Sequence, residues 1–333
     1  MPVVSVIVPA FDRAGTIGAA LDSIIGQEPA PAEVLVIDDA STDDTVAAVQ
    51  RRSDTLVRVL RHDRRKGACA ARNTGIEAAT GEVIAFCDAD DRWLPGWLAS
   101  QLDVLEDGAA GSVTGLIAHR GTRRRRSGPW GFGTDPMAAI LRDRHGGFST
   151  SGIAVWQQAV GPFVRFDESF PSLQDLDFLL QLSEAGTVVA NPDAWVSKSA
   201  DSANRVYGGR RIVLGRRALI DKWGPQMRLV GAYDLQLRLL VEAAASFGDE
   251  EDYADAVRLF SEVQQSRALA NVAMKHAIGA GRAQAATTGR WLRRVHHVSL
   301  RTTSERARDL ARDLMHSRLR SSSYGRPEPD SGR

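Results

Sequence analysis

The 333-residue chain carries 42 basic and 41 acidic side chains, a net charge of +1, so bulk charge points to neither nucleic acid nor an acidic partner. Its two cysteines, Cys69 and Cys87, exclude a disulfide framework and fit a reducing cytoplasm. The chain opens on a strand pattern rather than a signal peptide and lacks a run of about 18 apolar residues, so a soluble protein is expected.

In chain order, Val3 to Val8 is a nearly unbroken β-branched run, stopped at Pro9. Ile17, Leu21, Ile24 and Ile25 then recur at helical spacing. Glu33 to Ile37 reads as a second strand, ending in Asp38-Asp39, and Ser41 or Thr42 is placed to cap a helix reaching about Arg52. Leu56 to Leu60 is a third strand. Gly67 to Ala79 is a helix of small residues, with Gly81 as its expected C-cap. Val83 to Cys87 has the continuous apolar character of a central parallel strand, and Leu98, Leu102 and Leu105 mark the helix after it. Strands alternating with helices at this spacing predict an α/β fold with right-handed crossovers.

The central strand runs into Asp88, Asp90 and Asp91, at the sheet edge where open α/β folds bind ligands. Three carboxylates in four positions repel one another, and a divalent cation would answer that repulsion. Oxygen donors suit Mg²⁺ or Mn²⁺. Neither a G-x-G-x-x-G after the first strand nor a G-x-x-x-x-G-K-[ST] is present, so bound phosphates would need metal and side chains to hold them.

Five blocks carry a resemblance: Val6-Ile7-Val8-Pro9-Ala10-Phe11-Asp12, Val36-Ile37-Asp38-Asp39-Ala40-Ser41-Thr42-Asp43, Ala71-Arg72-Asn73-Thr74-Gly75, Asp88-Ala89-Asp90-Asp91, and Phe166-Asp167-Glu168 with Gln174-Asp175-Leu176-Asp177. In this order and spacing, over roughly residues 1 to 200, the chain resembles the family 2 glycosyltransferases of GT-A fold. That resemblance implies a mixed, mostly parallel sheet flanked by helices. It also implies inverting transfer of a sugar from a nucleotide diphosphate donor, UDP- or dTDP-linked, assisted by Mg²⁺ or Mn²⁺. Pro9, Ala10 and Phe11 would line the base pocket, with the Phe11 ring against the base. Asp39 would accept the imide N–H of a pyrimidine. Lys66 and Arg72 are rival phosphate contacts, and Arg72 could equally form a structural ion pair. Asp88 would serve the ribose or the metal's outer shell, and Asp90 would be the metal ligand, with no His near Lys198 and Asp201 to complete the site as in some relatives.

Asp175 would be the general base for the acceptor, while Ser172-Leu173-Gln174-Asp175 also fits a capping box that would make it a helix cap. Gln174 stands where the family usually has Glu. Two alternatives remain open at this point: a non-catalytic sugar-nucleotide-binding scaffold of the same fold, and a sugar-1-phosphate nucleotidyltransferase. The acceptor is open among glycan, lipid carrier, peptide and natural product, as is the oligomeric state.

The expected organisation is a glycosyltransferase domain over 1–205, with a nucleotide-binding half at 1–110 and an acceptor-side half at 111–205. A helical region follows at 206–320 and a disordered Ser/Gly/Pro-rich tail at 321–333. Ser112 to His119 reads as a strand, and Arg120 to Pro136, with Arg123 to Arg126 and Trp130, as a solvated loop. Helices are expected at 210–223, 233–247, 252–278 and 290–315; the last is basic and is expected to pack against the catalytic domain, with a membrane surface as the alternative. A cytoplasmic location, with peripheral contact at the inner membrane face as an option, is the expectation.

Overall fold

The computed structural model describes residues 1–52, 55–106, 108–120, 123–128, 135–142, 148–198 and 209–263. The chain divides into two compact units, Met1–Arg205 and Val206–Arg333. In the first, β1 (Val4–Ala10), β2 (Glu33–Asp38), β3 (Val57–Arg61) and β4 (Val83–Phe86) alternate with α1 (Ile17–Ile25), α2 (Thr45–Gln50) and α3 (Ala68–Ala78). The strands lie in the order β3-β2-β1-β4, all parallel. Every residue of β2 and β4 is buried, which is why Val34–Ile37 and Val83–Phe86 are continuously apolar rather than alternating, while the acids ending β2, Glu33 and Asp38, pair with Arg58 and Arg61.

Strand β1 does not stop at Pro9 but runs through it to Ala10. The carbonyls of Val3 and Ile7 accept from β4 backbone, and those of Val4 and Ala10 accept from the β2 side. Odd-numbered residues of β1 therefore face β4, whose pairing ends where Phe86 meets Ile7. The N–H that Pro9 lacks would face a position with no strand partner, so the proline costs no ladder bond.

After β4 come β5 (Asp91–Trp93), α4 (Trp97–Glu106), β6 (Gly111–Arg120), β7 (Arg123–Ser127), α5 (Pro136–Arg142), a 3₁₀ turn at Thr150–Gly152, β8 (Ile153–Trp156), α6 (Gln157–Val160), α7 (Gln174–Ala185) and β9 (Val188–Lys198). The sheet continues β4-β8-β6-β9-β5 with β7 beside β6. Here the pairing is mixed: β8 is antiparallel to both neighbours, β6 and β9 are parallel, and β9 and β5 antiparallel. The sheet is thus a parallel half joined through β8 to a mixed half. A stacked Phe166–Phe178 pair, 4.3 Å between centroids, meets the edge of Phe86 and fastens α7 to the central strand. Cys69 and Cys87 are buried and unpaired, and burial pushes the Cys69 thiol up to about 11.

Several expectations are corrected. Ser41 and Thr42 cap nothing, because α2 begins only at Thr45 and both residues bind Asp12 instead. Gly81 is no C-cap: α3 ends at Ala78, and a Cβ on Gly81 would sit 2.6 Å from the Ser5 backbone nitrogen. The arginine run is not a loop but strand β7, paired antiparallel to β6 with Arg126 opposite Ile117. A run of like charges suits such a strand because it discourages pairing with other chains. Trp130 and Asp201 lie outside the described residues.

The second unit contains α8 (Arg210–Leu229), α9 (Tyr233–Phe247) and α10 (Glu250–Val263). Each buries one stripe: Ile212, Leu219, Trp223 and Met227 in α8, Leu237, Leu240 and Ala244 in α9, Tyr253, Ala256 and Phe260 in α10. Helix α8 extends past the expected Trp223 through Pro225, which is exposed, as is Asp221, whose carbonyl the proline leaves unbonded. The remainder of the expected 252–278 helix, the 290–315 segment and the 321–333 tail lie outside the described residues. Among the described residues no helix is long and apolar enough to cross a membrane.

Candidate active site

The site lies at the C-terminal edge of the parallel strands. The loops leaving β1 and β2 lock onto each other there. Asp12 adopts a left-handed conformation (φ 50°), its Oδ1 accepts from the Thr42 backbone at 2.8 Å, and its own N–H donates to Ser41 Oγ at 3.0 Å. Ala40 is also left-handed, at φ 62°. Non-glycine residues in this region carry strain of about 1–3 kcal/mol each and persist only where the surroundings hold them. Pro9 and Ala10 line the end of β1. The Phe11 ring, half-buried, carries the Arg65 guanidinium over its face at 3.9 Å.

Asp39 is 3 % exposed and heavily engaged. Its Oδ1 accepts from the Lys66 backbone at 2.7 Å and lies 2.8 Å from His62 Nδ1; its Oδ2 accepts from the Gly67 backbone at 2.7 Å. His62 reaches on to Thr74 Oγ1 at 3.0 Å through its other nitrogen. A carboxylate offers about four lone-pair positions, so one on Oδ2 is left for a ligand. Lys66 enters this arrangement through its backbone, while its side chain is exposed, 3.8 Å from Asp63.

Part of the repulsion among the three acids after β4 is offset within the fold, which gives each acid a basic partner from a separate element. Arg72 of α3 donates to Asp88 Oδ1 at 2.6 Å, Lys198 at the end of β9 lies 3.2 Å from Asp91 Oδ2, and Arg13 in the β1–α1 loop lies 3.9 Å from Asp90 Oδ2. Burial pushes Asp88 upward, but Arg72 and Lys198 outweigh it and hold the carboxyl below its ordinary value. Asp91, 2 % exposed, is pushed by burial up to about 7 against the opposing charge of Lys198. Ser151 joins the two acids, donating to Asp91 Oδ2 at 2.5 Å and accepting from the Asp88 backbone at 3.0 Å. Arg72 is 5 % exposed, and its Nε and Nη1 are buried without a hydrogen-bond partner.

Asp175 stands in the first turn of α7. The helix N-cap is Leu173, left-handed at φ 63°, not Ser172, so the capping-box reading fails. Among the described residues Asp175 Oδ1 accepts only the neighbouring Leu176 N–H, at 2.9 Å, and burial pushes its carboxyl above the ordinary value. Asp177, by contrast, is fully buried and accepts from Gln181 at 2.7 Å. Asn73 ties the two halves together, donating to the Phe166 carbonyl at 2.9 Å and to Glu168 Oε1 at 3.1 Å and accepting from the Phe166 N–H at 3.0 Å. Glu168 is thereby occupied, as is Asp167, whose Oδ1 accepts from Ser169.

Among the described residues no three His, Cys, Asp or Glu side chains converge as a metal cage. The donors nevertheless fit Mg²⁺ or Mn²⁺ completed by a substrate. Asp90 offers hard oxygen donors, is partly exposed, and has its basic partner beyond hydrogen-bond reach. Mg²⁺ is commonly held by one or two carboxylates with substrate phosphates supplying the rest.

The structure thus brings Asp88, Asp90, Arg72 and Asp175 to one edge, with Phe11 and Asp39 in the adjoining loops. Ser151, Arg13 and Lys198 share the site but were not singled out in the sequence. Ser151 bore no signal, sitting 60 residues from its partner Asp91. Lys198 becomes legible only once β5 is recognised as a strand pairing with β9.

Comparison with known proteins defines the class. Residues 5–160 match the model of the family described as "Glycosyl transferase family 2". That match spans 156 of the 333 residues, all within the first unit, and over them the chain is similar to that family. Over 102 residues the chain is 39 % identical to an Escherichia coli protein named UDP-Glc:alpha-D-GlcNAc-diphosphoundecaprenol beta-1,3-glucosyltransferase WfgD, a match covering 31 % of this chain and 40 % of that one. The chain spans about half or less of the length of the curated relatives it matches. The fold matches S. aureus TarS 1-349, solved in complex with UDP-GlcNAc, at TM-score 0.58 and 17 % identity over 99 % of this chain and 95 % of that one. It also matches the mannosyltransferase PcManGT from Pyrobaculum calidifontis, solved with GDP-Man and Mn²⁺, at TM-score 0.53 and 21 % identity over 96 % and 87 % of the two chains.

Proposed function

We propose that this protein is an inverting glycosyltransferase that moves a sugar from a UDP- or dTDP-sugar to a hydroxyl of a lipid-linked glycan acceptor. The observation that carries the reading is Asp175. It is a carboxylate kept basic by burial, with one local hydrogen bond, held by a strained N-cap on the acceptor side of the acid cluster. The WfgD name, with its diphosphoundecaprenol acceptor, supports the lipid-linked class, and peripheral contact with a membrane would follow from such a substrate.

In this reading Pro9, Ala10 and Phe11 form the base pocket, and Asp39 accepts the pyrimidine imide N–H on its remaining lone pair. Arg72 directs its Nε and Nη1 donors at phosphate oxygen, Asp88 fixes Arg72, and Lys66 borders the nucleotide through its loop. Asp175 accepts the proton of the acceptor hydroxyl as that oxygen bonds to the anomeric carbon. The bond from that carbon to the diphosphate oxygen breaks on the opposite face, so configuration inverts and the nucleoside diphosphate leaves with the electron pair. A divalent cation at Asp90 would supply Lewis-acid stabilisation of the leaving diphosphate when bound.

A thermal-shift panel of UDP-, dTDP- and GDP-sugars, each with and without Mn²⁺, tests the donor class, because a ligand that binds only the native state raises the melting temperature. UDP- and dTDP-sugars should raise it and GDP-sugars should not. No shift with any of them would refute the reading.

A further inference from the structure

The proposed site assigns Lys198 no task beyond its ion pair. We propose that Lys198 is a second fixed cation for the donor diphosphate, acting with Arg72, so that the nucleotide binds without a metal. This rests on the reading that the site takes a nucleoside diphosphate sugar, and it adds a binding residue to that site.

Three observations support it. First, backbone pairing delivers the ammonium to the cluster: β5 and β9 are antiparallel with Asp91 directly opposite Lys198. This fixes Lys198 by sheet geometry, which is more rigid than a loop. Second, the lysine acts on the site as a whole. Its charge reaches Asp88, Asp90 and Asp91 together, and Asp175 as well. About a third of its side chain remains accessible, unlike that of Asp91. Third, the same cluster contains buried donors with nothing to bind. Arg72 spends one nitrogen on Asp88 and keeps Nε and Nη1 unpartnered. Unsatisfied buried guanidinium N–H groups are costly, and an oxyanion completes them. Diphosphate oxygens entering there meet the fields of both cations.

The experiment is calorimetry of UDP and, as the phosphate-free control, uridine, on the full chain in EDTA and in Mn²⁺. Removing Lys198 alone would strand Asp91, so the informative pair is Asp91→Asn, which frees the lysine from its partner's charge, and Asp91→Asn/Lys198→Met. We expect wild type and Asp91→Asn to bind UDP in EDTA. The double variant should bind it about tenfold or more weakly, the usual cost of losing a charge-assisted contact, with uridine affinity unchanged. Equal UDP affinity of the two variants in EDTA would overturn the role of Lys198 and leave the nucleotide reading standing. So would UDP binding by wild type only when Mn²⁺ is present, or an equal loss of uridine affinity in the double variant, which would indicate a damaged pocket. Failure of wild type to bind UDP or GDP under either condition would overturn both readings.

Discussion

The two halves of the first unit are built on different logics. The parallel half is a run of strands whose exit loops are bonded to one another: Asp12 to Thr42, Asp39 to Lys66 and Gly67. The mixed half is a sheet with a register shift between Thr114 and Gly115, and it contributes Asp175 from a helix rather than from a strand end. In the proposed reading the first half holds the nucleotide through many fixed contacts and the second presents one reactive group with few. Changes in the first should therefore appear in binding, and changes in the second in turnover.

The largest expected effect joins the two. Asp90→Asn should abolish turnover and remove whatever affinity Mn²⁺ adds to nucleotide binding, while the fold persists. Full activity of the folded variant would show that Asp90 holds no metal.

Asp175→Asn tests the acceptor half by itself. It should lower kcat by about 10²–10⁴-fold, the usual contribution of a general base, with donor affinity unchanged. The wild-type rate should also fall on acidification through a pKa above the ordinary 3.8, since burial holds this carboxyl high. The sign for stability is the reverse of a salt-bridged acid. A raised folded-state pKa means stability is greatest below the unfolded value and is lost as pH rises through the folded one. The asparagine variant should thus gain in melting temperature relative to wild type as pH rises, and show no advantage in strong acid. A variant that loses donor affinity instead would erase the distinction between the halves.

Asp39 supplies the complementary test on the nucleotide side. Wild type should favour UDP over N3-methyl-UDP by about 1.5–3 kcal/mol, the worth of a hydrogen bond to a charged group, and Asp39→Ala should remove that preference. Because Asp39 also satisfies two backbone N–H groups, the variant should melt lower as well. Equal affinity of wild type for the two nucleotides, measured by calorimetry, would refute base reading by this residue.

The smallest effect concerns packing. A Cβ on Gly75 would meet Ile7 Cγ2 well inside contact distance, so α3 lies on β1 with no room to spare. Gly75→Ala should cost about 1–3 kcal/mol as an overpacked contact, read as a lower urea midpoint. It should also weaken nucleotide binding slightly, because Arg72 rides on the same helix.

That glycine also illustrates what a sequence can and cannot disclose. The Arg72-Asn73-Thr74-Gly75 block was legible as a motif, but the reasons for its members are tertiary: Arg72 for the acid cluster, Asn73 as a tie to Phe166, Thr74 behind His62, Gly75 for close packing. The parallel half could be read nearly strand by strand, since buried parallel strands are continuously apolar and their helices are periodic. The mixed half could not. Strand β5 is three residues with a charged first member, and β7 is four arginines and a serine, so neither has the composition of a strand. What makes them strands is the availability of β9 and β6 as partners. Ser151 escaped notice for the same reason, as did the pairing of Asp91 with Lys198 and of Asp90 with Arg13, whereas the ion-pair option for Arg72 was legible and is met at Asp88.

The interlocked loops after β1 and β2 have a kinetic consequence. Two left-handed non-glycine residues, Asp12 and Ala40, stand in loops that are bonded to each other through Asp12, Ser41 and Thr42. With the base seated there as proposed, the entropy of ordering those loops is spent in folding rather than in association. Capture of the base need not await a conformational change, and nucleoside association should be a single fast phase whose rate rises linearly with nucleotide concentration.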